Sequence, residues 1–247
     1  MARLLLTIPT WNEAVCIEQN LRVLIRACET TLLAHEWRIE IADNGSTDAT
    51  SEIIKRFAHR DARVTWREIS VKGKGGAIRE SWMASSGRAD VFVFLDADLA
   101  ADVQALLRLV EPIARREAEA VVGSRFHPDA RVVRSWWREG WSRGFHYWRR
   151  WALPLPVDDT QCGFKAVSSR VVETIVPLLH ERGWLFDAEL LAHIAARGWI
   201  IRSLPIDWIE HRDPRRRSAV FVWRDGWDFL IGVWRIRFRV KLSTARA

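Results

Sequence analysis

The chain has 247 residues, enough for one substantial core, and neither an internal repeat nor a low-complexity linker divides it. Three scattered cysteines, Cys16, Cys28 and Cys162, exclude a disulfide framework or a cysteine metal cluster and suit reduced thiols in a reducing compartment. The net charge of +7, sequence pI ≈ 10.0 and Trp count of 15 would suit a basic protein that binds membrane or nucleic acid, but no nucleic-acid motif is present.

In chain order, Leu4-Leu5-Leu6-Thr7-Ile8 reads as a short strand rather than a signal peptide. Pro9-Thr10-Trp11-Asn12-Glu13 follows; Pro9 is expected to stop the ladder and Asn12 to cap a helix beginning near Glu13. Ile39-Glu40-Ile41-Ala42-Asp43 is a second strand, and Asn44-Gly45-Ser46-Thr47-Asp48 is a turn leading into a capped helix. Lys72-Gly73-Lys74-Gly75-Gly76-Ala77-Ile78-Arg79 opens another helix. Its amides have the character of an anion cradle but lack P-loop spacing. Val91-Phe92-Val93-Phe94-Leu95 is a buried strand that ends in Asp96-Ala97-Asp98. Residues i and i+2 of an extended chain point the same way. The Asp pair therefore either caps the next helix or holds Mg²⁺ or Mn²⁺ against a diphosphate with two hard oxygen donors. The resulting β-α-β-α-β-α-β pattern predicts an α/β fold with a mainly parallel sheet covered by helices, and polar residues at every strand exit.

The segments Pro9–Glu13, Asp43–Asp48, Gly73–Arg79 and Asp96–Asp98 resemble, in order and spacing, the family 2 glycosyltransferases, whose fold is the Rossmann-like GT-A fold. Val121-Val122-Gly123-Ser124-Arg125 and Asp159-Thr160-Gln161-Cys162-Gly163-Phe164-Lys165 look like the polyprenyl-phosphate sugar transferases in that family, the second especially like dolichyl-phosphate β-glucosyltransferases. Leu185-Phe186-Asp187-Ala188-Glu189-Leu190 matches a further family segment, and the resemblance covers residues 3–240. It implies a GT-A catalytic domain over 1–210 and a basic loop with an amphipathic tail over 211–247.

The implied reaction is inverting transfer of a hexose, with glucose from UDP-glucose favoured, to polyprenyl or dolichyl phosphate. The alternatives are mannose from GDP-mannose, or a glycan or protein hydroxyl as acceptor. Asp98 is the expected metal ligand, while Asp96 joins it or holds the ribose and metal-bound water. By resemblance Asp43 and Glu13 contact base and ribose, Pro9 and Trp11 shape that pocket, and Lys74 reaches the nucleotide. A phosphate monoester, with a second pKa of about 6, arrives as an oxyanion and needs cations rather than a base. Arg125, Arg131 and Lys165 are the candidates to hold it. Asp187 or Glu189 would act as base for a hydroxyl acceptor, or position arginines for a phosphate one; Asp187 also reads as a helix cap.

The sequence departs from its relatives at Ala100, where mannosyl-transferring members often carry Gln, and it lacks the Gln-x-x-Arg-Trp signature of processive synthases. No spanning segment is expected. Between 131 and 151, Trp137, Trp141, Phe145 and Trp148 share a helix face beside Arg134 and Arg138. Arg215-Arg216-Arg217 forms a basic loop, and Trp227, Leu230, Ile231, Trp234 and Phe238 make an apolar stripe, with Asp228, Gly232, Arg235 and Arg239 on another face. These segments suit a membrane interface, packing onto the domain, or a protein partner. Peripheral attachment to the cytoplasmic face of a membrane is the expected location.

Overall fold

A computed structural model describes residues 1–70, 72–133, 144, 147–209 and 222–244, with side chains of the last stretch described over 230–241. Among the described residues seven strands form the main sheet: β1 (Arg3–Thr10), β2 (Glu36–Asp43), β3 (Val64–Glu68), β4 (Val91–Leu95), β5 (Ala120–Ser124), β7 (Phe164–Ser168) and β8 (Ile201–Pro205). Their order is β3-β2-β1-β4-β7-β5-β8, and β6 (Val132–Val133) pairs with β9 (Trp208–Ile209) in a separate ribbon. Neighbouring pairs are parallel except those made by β7, which runs antiparallel between β4 and β5. This is the mainly parallel GT-A architecture. The chain moves outward from β1 to β3 and then returns to β4 on the other side of β1. The exits of β1 and β4 therefore flank a topological switch point, where open α/β sheets bind ligands.

Among the described residues, α1 (Ile17–Thr31), α2 (Thr50–Arg60), α3 (Lys74–Ala84), α4 (Leu106–Ala114), α5 (Ser169–Thr174), α6 (Phe186–Ala196) and α7 (Val222–Thr244) follow the strands, and residues 147–152 are helical as well. Strand alternation divides the apolar residues between two faces. Leu4, Leu6, Ile8, Val91, Val93 and Leu95 pack with α1, α2 and α4. Leu5, Phe92 and Phe94 pack with α3, α5 and α6. On that second face Trp82 sits with its ring centroid 6.0 Å from Phe92, 6.0 Å from Phe94 and 6.3 Å from Phe186.

Pro9 does not end the first strand. β1 runs to Thr10, pairing Pro9 with Ala42 of β2, while its pairing with β4 stops at Thr7. The missing Pro9 N–H thus falls beyond the β4 ladder, where it costs no bond. Asn12 does not cap α1, which begins at Ile17 without a side-chain cap. It adopts φ 56° and accepts from Thr47 N at 2.8 Å, tying the β1 exit to the β2 exit.

The C-terminal helix is part of the body. Val233, Ile236 and Val240 of α7 are buried against Leu185, Ala188 and Ala192 of the α6 region and against Ala152 and Leu153. Among the described residues no helix is long and apolar enough to cross a membrane. The proposed 210/211 boundary, Arg134, Arg138, Trp137, Trp141, Phe145 and Arg215–Arg217 lie outside the described residues, as do the side chains of Trp227 and Asp228.

Candidate active site

Three parallel strands deliver polar residues to one edge of the sheet. At the β1 and β2 exits the two loops staple each other. Asn12 N donates to Ser46 Oγ at 3.0 Å, Glu13 N to Thr50 Oγ1 at 2.8 Å, and Ala14 N to Asp48 Oδ2 at 3.2 Å. Asp43 is buried, and its carboxylate accepts from Ser46 N at 3.2 Å, from Ser46 Oγ at 2.6 Å and from Ser51 Oγ. It shapes this loop pair directly. Trp11 stands 50% exposed at the rim, beside half-buried Pro9 at the end of the strand. The Glu13 carboxylate accepts from the Cys16 thiol at 3.4 Å.

At the β4 exit, Asp96 and Asp98 both emerge half-buried along the chain's turn, where Leu99 takes φ 47°. Asp96 Oδ1 lies 2.7 Å from Lys74 Nζ, the first residue of α3. Its other side rests on Gly163, where any Cβ would overlap the carboxylate. Gly163 is therefore required by close approach rather than by backbone freedom. Burial opposes the charge of Asp96, but Lys74, then Lys165 and Arg125, hold its pKa below the ordinary carboxylate value. Burial likewise opposes the Lys74 charge, and Asp96 and Asp187 together raise its pKa. The ammonium also lies 5.1 Å from the Phe94 ring centroid and 5.5 Å from that of Trp184. Asp98 Oδ1 accepts from Ala100 N at 3.3 Å, which fixes the carboxylate across its own turn.

Behind this pair the cations and carboxylates alternate. Lys165 is fully buried on β7 and lies 2.7 Å from Asp187 Oδ1, and it also donates to the Cys162 carbonyl. Arg125 grips Asp159 through Nε at 2.7 Å and Nη2 at 2.9 Å, and its guanidinium lies 4.9 Å from the Trp208 ring centroid. Burial raises the Cys162 thiol to about 12, so it is an inert packing group. Lys74, Lys165 and Arg125 thus match Asp96, Asp187 and Asp159 one for one.

Several expectations change here. Lys165, expected at the acceptor phosphate, has its ammonium enclosed and paired with Asp187. The Asp187 carboxylate is buried in the same pair, and it does not cap α6, whose cap is Leu185. Glu189 is also wholly buried, accepting from His180 N at 2.8 Å and Glu181 N at 2.7 Å. Gly76 N donates to Arg182 O at 2.9 Å, and Cβ atoms at Gly73 and Gly75 would overlap Arg182 and Phe186. Arg131 is exposed at the start of β6, and its carbonyl accepts from Trp208 N at 2.8 Å. That ribbon adjoins the Asp98 turn, since Ile209 N donates to Ala100 O at 2.8 Å. Trp184, Trp208 and the packing role of Gly163 were missed in the sequence; only the glycine, set in a polar motif, carried a readable signal.

Comparison with known proteins agrees with this geometry. The model described as "Glycosyl transferase family 2" matches residues 6–176. Glycosyltransferase AglD of Haloferax volcanii is 32% identical over 96% of this chain and 38% of its own length. A dolichyl-phosphate beta-glucosyltransferase of Saccharomyces cerevisiae is 28% identical over 82% of this chain and 66% of its own. The chain therefore spans well under half of the first relative and about two thirds of the second. Among solved structures, glucosyl-3-phosphoglycerate synthase from Mycobacterium tuberculosis, crystallised with Mn²⁺, UDP-glucose and phosphoglyceric acid, superposes with TM-score 0.66. It is 19% identical and aligns over 97% of this chain and 80% of its own. With sheet, strand exits and motifs in agreement, the chain belongs to glycosyl transferase family 2.

Proposed function

We propose that the chain transfers glucose with inversion from UDP-glucose to a polyprenyl phosphate at a membrane surface. The observation that carries this reading is the Asp96–Lys74 pair beside Asp98 at the switch point, flanked by the stapled loops of β1 and β2. The names of the dolichyl-phosphate-using relatives support the lipid acceptor.

Asp96 and Asp98 offer hard carboxylate oxygens on one turn, a donor set that suits Mg²⁺ or Mn²⁺ completed by a diphosphate. Such a cation, when bound, supplies neutralisation of the charge that develops on the leaving nucleoside diphosphate. Lys74 adds a second positive group beside it, and Trp11, Pro9, Glu13 and the loop held by Asp43 border the nucleoside side. Arg131 faces solvent on the ribbon next to the Asp98 turn, where it is available to an incoming phosphate. Arg125 reaches the same region but is fixed by Asp159. The acceptor oxyanion attacks the anomeric carbon as the bond to the diphosphate breaks, so no general base is required. The burial of Asp187 and Glu189 fits that economy. Incubating the protein with a panel of nucleotide sugars and polyprenyl phosphate tests the reading. A hexosyl-lipid product from UDP-glucose is the expected outcome, and a panel that yields only products on soluble hydroxyls sinks it.

Attachment is peripheral in this reading. Ile231, Trp234 and Phe238 of α7 are 60%, 37% and 64% exposed, and Tyr147 and Trp151 beside them are 68% and 69% exposed. Trp151 and Trp234 meet edge-on at 5.7 Å. Aromatic rings on a non-spanning helix are suited to headgroup depth. Arg235 and Arg239, on the other face of the helix, pair with Glu181 and stay partly exposed. Trp234→Ser with Phe238→Ser should reduce sedimentation with anionic vesicles several-fold while leaving activity on a short, soluble acceptor near wild type. Unchanged sedimentation would leave this face without a lipid role.

A further inference from the structure

We infer that the C-terminal helix α7 is a positioning element of the donor site, acting through an Arg–Glu clamp on the segment 180–186. This inference rests on the donor-site reading above and deepens it.

The clamp consists of two arginines one helical turn apart. Arg235 grips Glu181 through Nε at 2.8 Å and Nη2 at 2.9 Å. Arg239 Nη1 lies 3.0 Å from Glu181 Oε1 and 3.3 Å from Glu189 Oε1. Glu189 is wholly buried, and its other oxygen takes the backbone N–H groups of His180 and Glu181. The pair of glutamates thus fixes the backbone at 180–181 from both α6 and α7. Four-centre, partly buried networks of this kind hold geometry better than isolated surface pairs.

The next residues carry the constraint to the chemistry. The Arg182 carbonyl accepts from Gly76 N at 2.9 Å and sits where a Cβ on Gly73 would lie. Phe186 closes on Gly75, and the Trp184 ring lies 5.5 Å from Lys74 Nζ. Lys74 in turn meets Asp96. The path runs through contiguous contacts, from Arg235 and Arg239 to Glu181 and Glu189, then to Arg182–Phe186, and finally to the first turn of α3 with Lys74. In this reading these side chains act through Lys74 and are positioning residues. Since α7 also carries the exposed apolar face, its seating and the donor site are set by one element.

The test compares Arg235→Gln/Arg239→Gln with the charge-keeping Arg235→Lys/Arg239→Lys, the milder Glu181→Gln, and the remote control Arg202→Gln, which breaks a surface pair with Glu117. Amide hydrogen exchange and calorimetric titration of UDP with Mn²⁺ are read on each full-length chain. The Gln pair should speed exchange in 180–186 and at the Gly76 amide, leaving β1 and β2 protected. It should raise the UDP Kd and the donor KM about five- to tenfold while kcat at saturating donor stays near wild type. The Lys pair and the control should lie close to wild type, and Glu181→Gln between. Faster exchange confined to α7, with the Gly76 amide protected as in wild type, overturns the inference. If the wild type binds no UDP but the Gly76 amide still responds, the coupling stands and the donor reading fails instead.

Discussion

Asp98→Asn is expected to lower kcat by about 10²–10³-fold, the magnitude typical of losing one group that stabilises developing charge. Asp98 stands at the β4 exit on a turn, where its carboxylate accepts from the nearby Ala100 N–H. The substitution keeps the shape and leaves an acceptor for that amide, so the denaturation midpoint should hardly move. Adding excess chelator to the wild type should reproduce the kinetic loss. The carboxylate is thus tested as a metal-site group separately from any part it plays in the fold. A variant with wild-type turnover would remove Asp98 from the chemistry and leave the Asp96–Lys74 pair to carry the donor alone.

Lys165→Ala is expected to have the largest effect on stability, about 3–5 kcal/mol in chemical denaturation, because it strands the buried Asp187 carboxylate without its counter-charge. The two side chains are 0% and 1% exposed, so neither gains water when the other is removed. Replacing both, as Lys165→Met with Asp187→Leu, should recover much of the loss, since well-packed apolar groups can replace a buried ion pair. The single and double variants together separate a buried structural pair from a substrate ligand. A Lys165→Ala protein that is fully stable but has a raised acceptor KM would return Lys165 to the acceptor site.

The contrast between these two residues shows what the sequence makes legible. Asp96 and Asp98 follow five apolar residues at a strand end, so both their direction and their openness are written locally. The same holds for the Leu4–Ile8 and Ile39–Asp43 strands and for the parallel βα pattern. Lys165 is different: its motif announces a functional segment, but it lies on β7 between β4 and β5, and a charge in a central strand is buried whatever its motif. Its partner Asp187 is 22 positions away, and the partner of Arg235 is 54 away. Periodicity does not reveal such pairs, nor does it give the antiparallel direction of β7, because an apolar run reads the same both ways. Asn12 carries the composition of a cap, yet its oxygen is taken by the Thr47 amide of a neighbouring loop. In the tail, alternation at helical spacing identified the aromatic stripe. It did not show that the smaller Val233, Ile236 and Val240 form the seam with the domain, leaving the larger rings outside.

The nature of the acceptor tests the central claim most directly. UDP-glucose is supplied with equal amounts of a polyprenyl phosphate and the corresponding polyprenol, and the lipid product is analysed by mass and by its anomeric coupling. A β-linked glucosyl phosphate formed from the phosphate alone is the expected result, since an oxyanion needs no base and the carboxylates at 187 and 189 are buried. Glucosylation of the polyprenol, or an α-linked product, would contradict it.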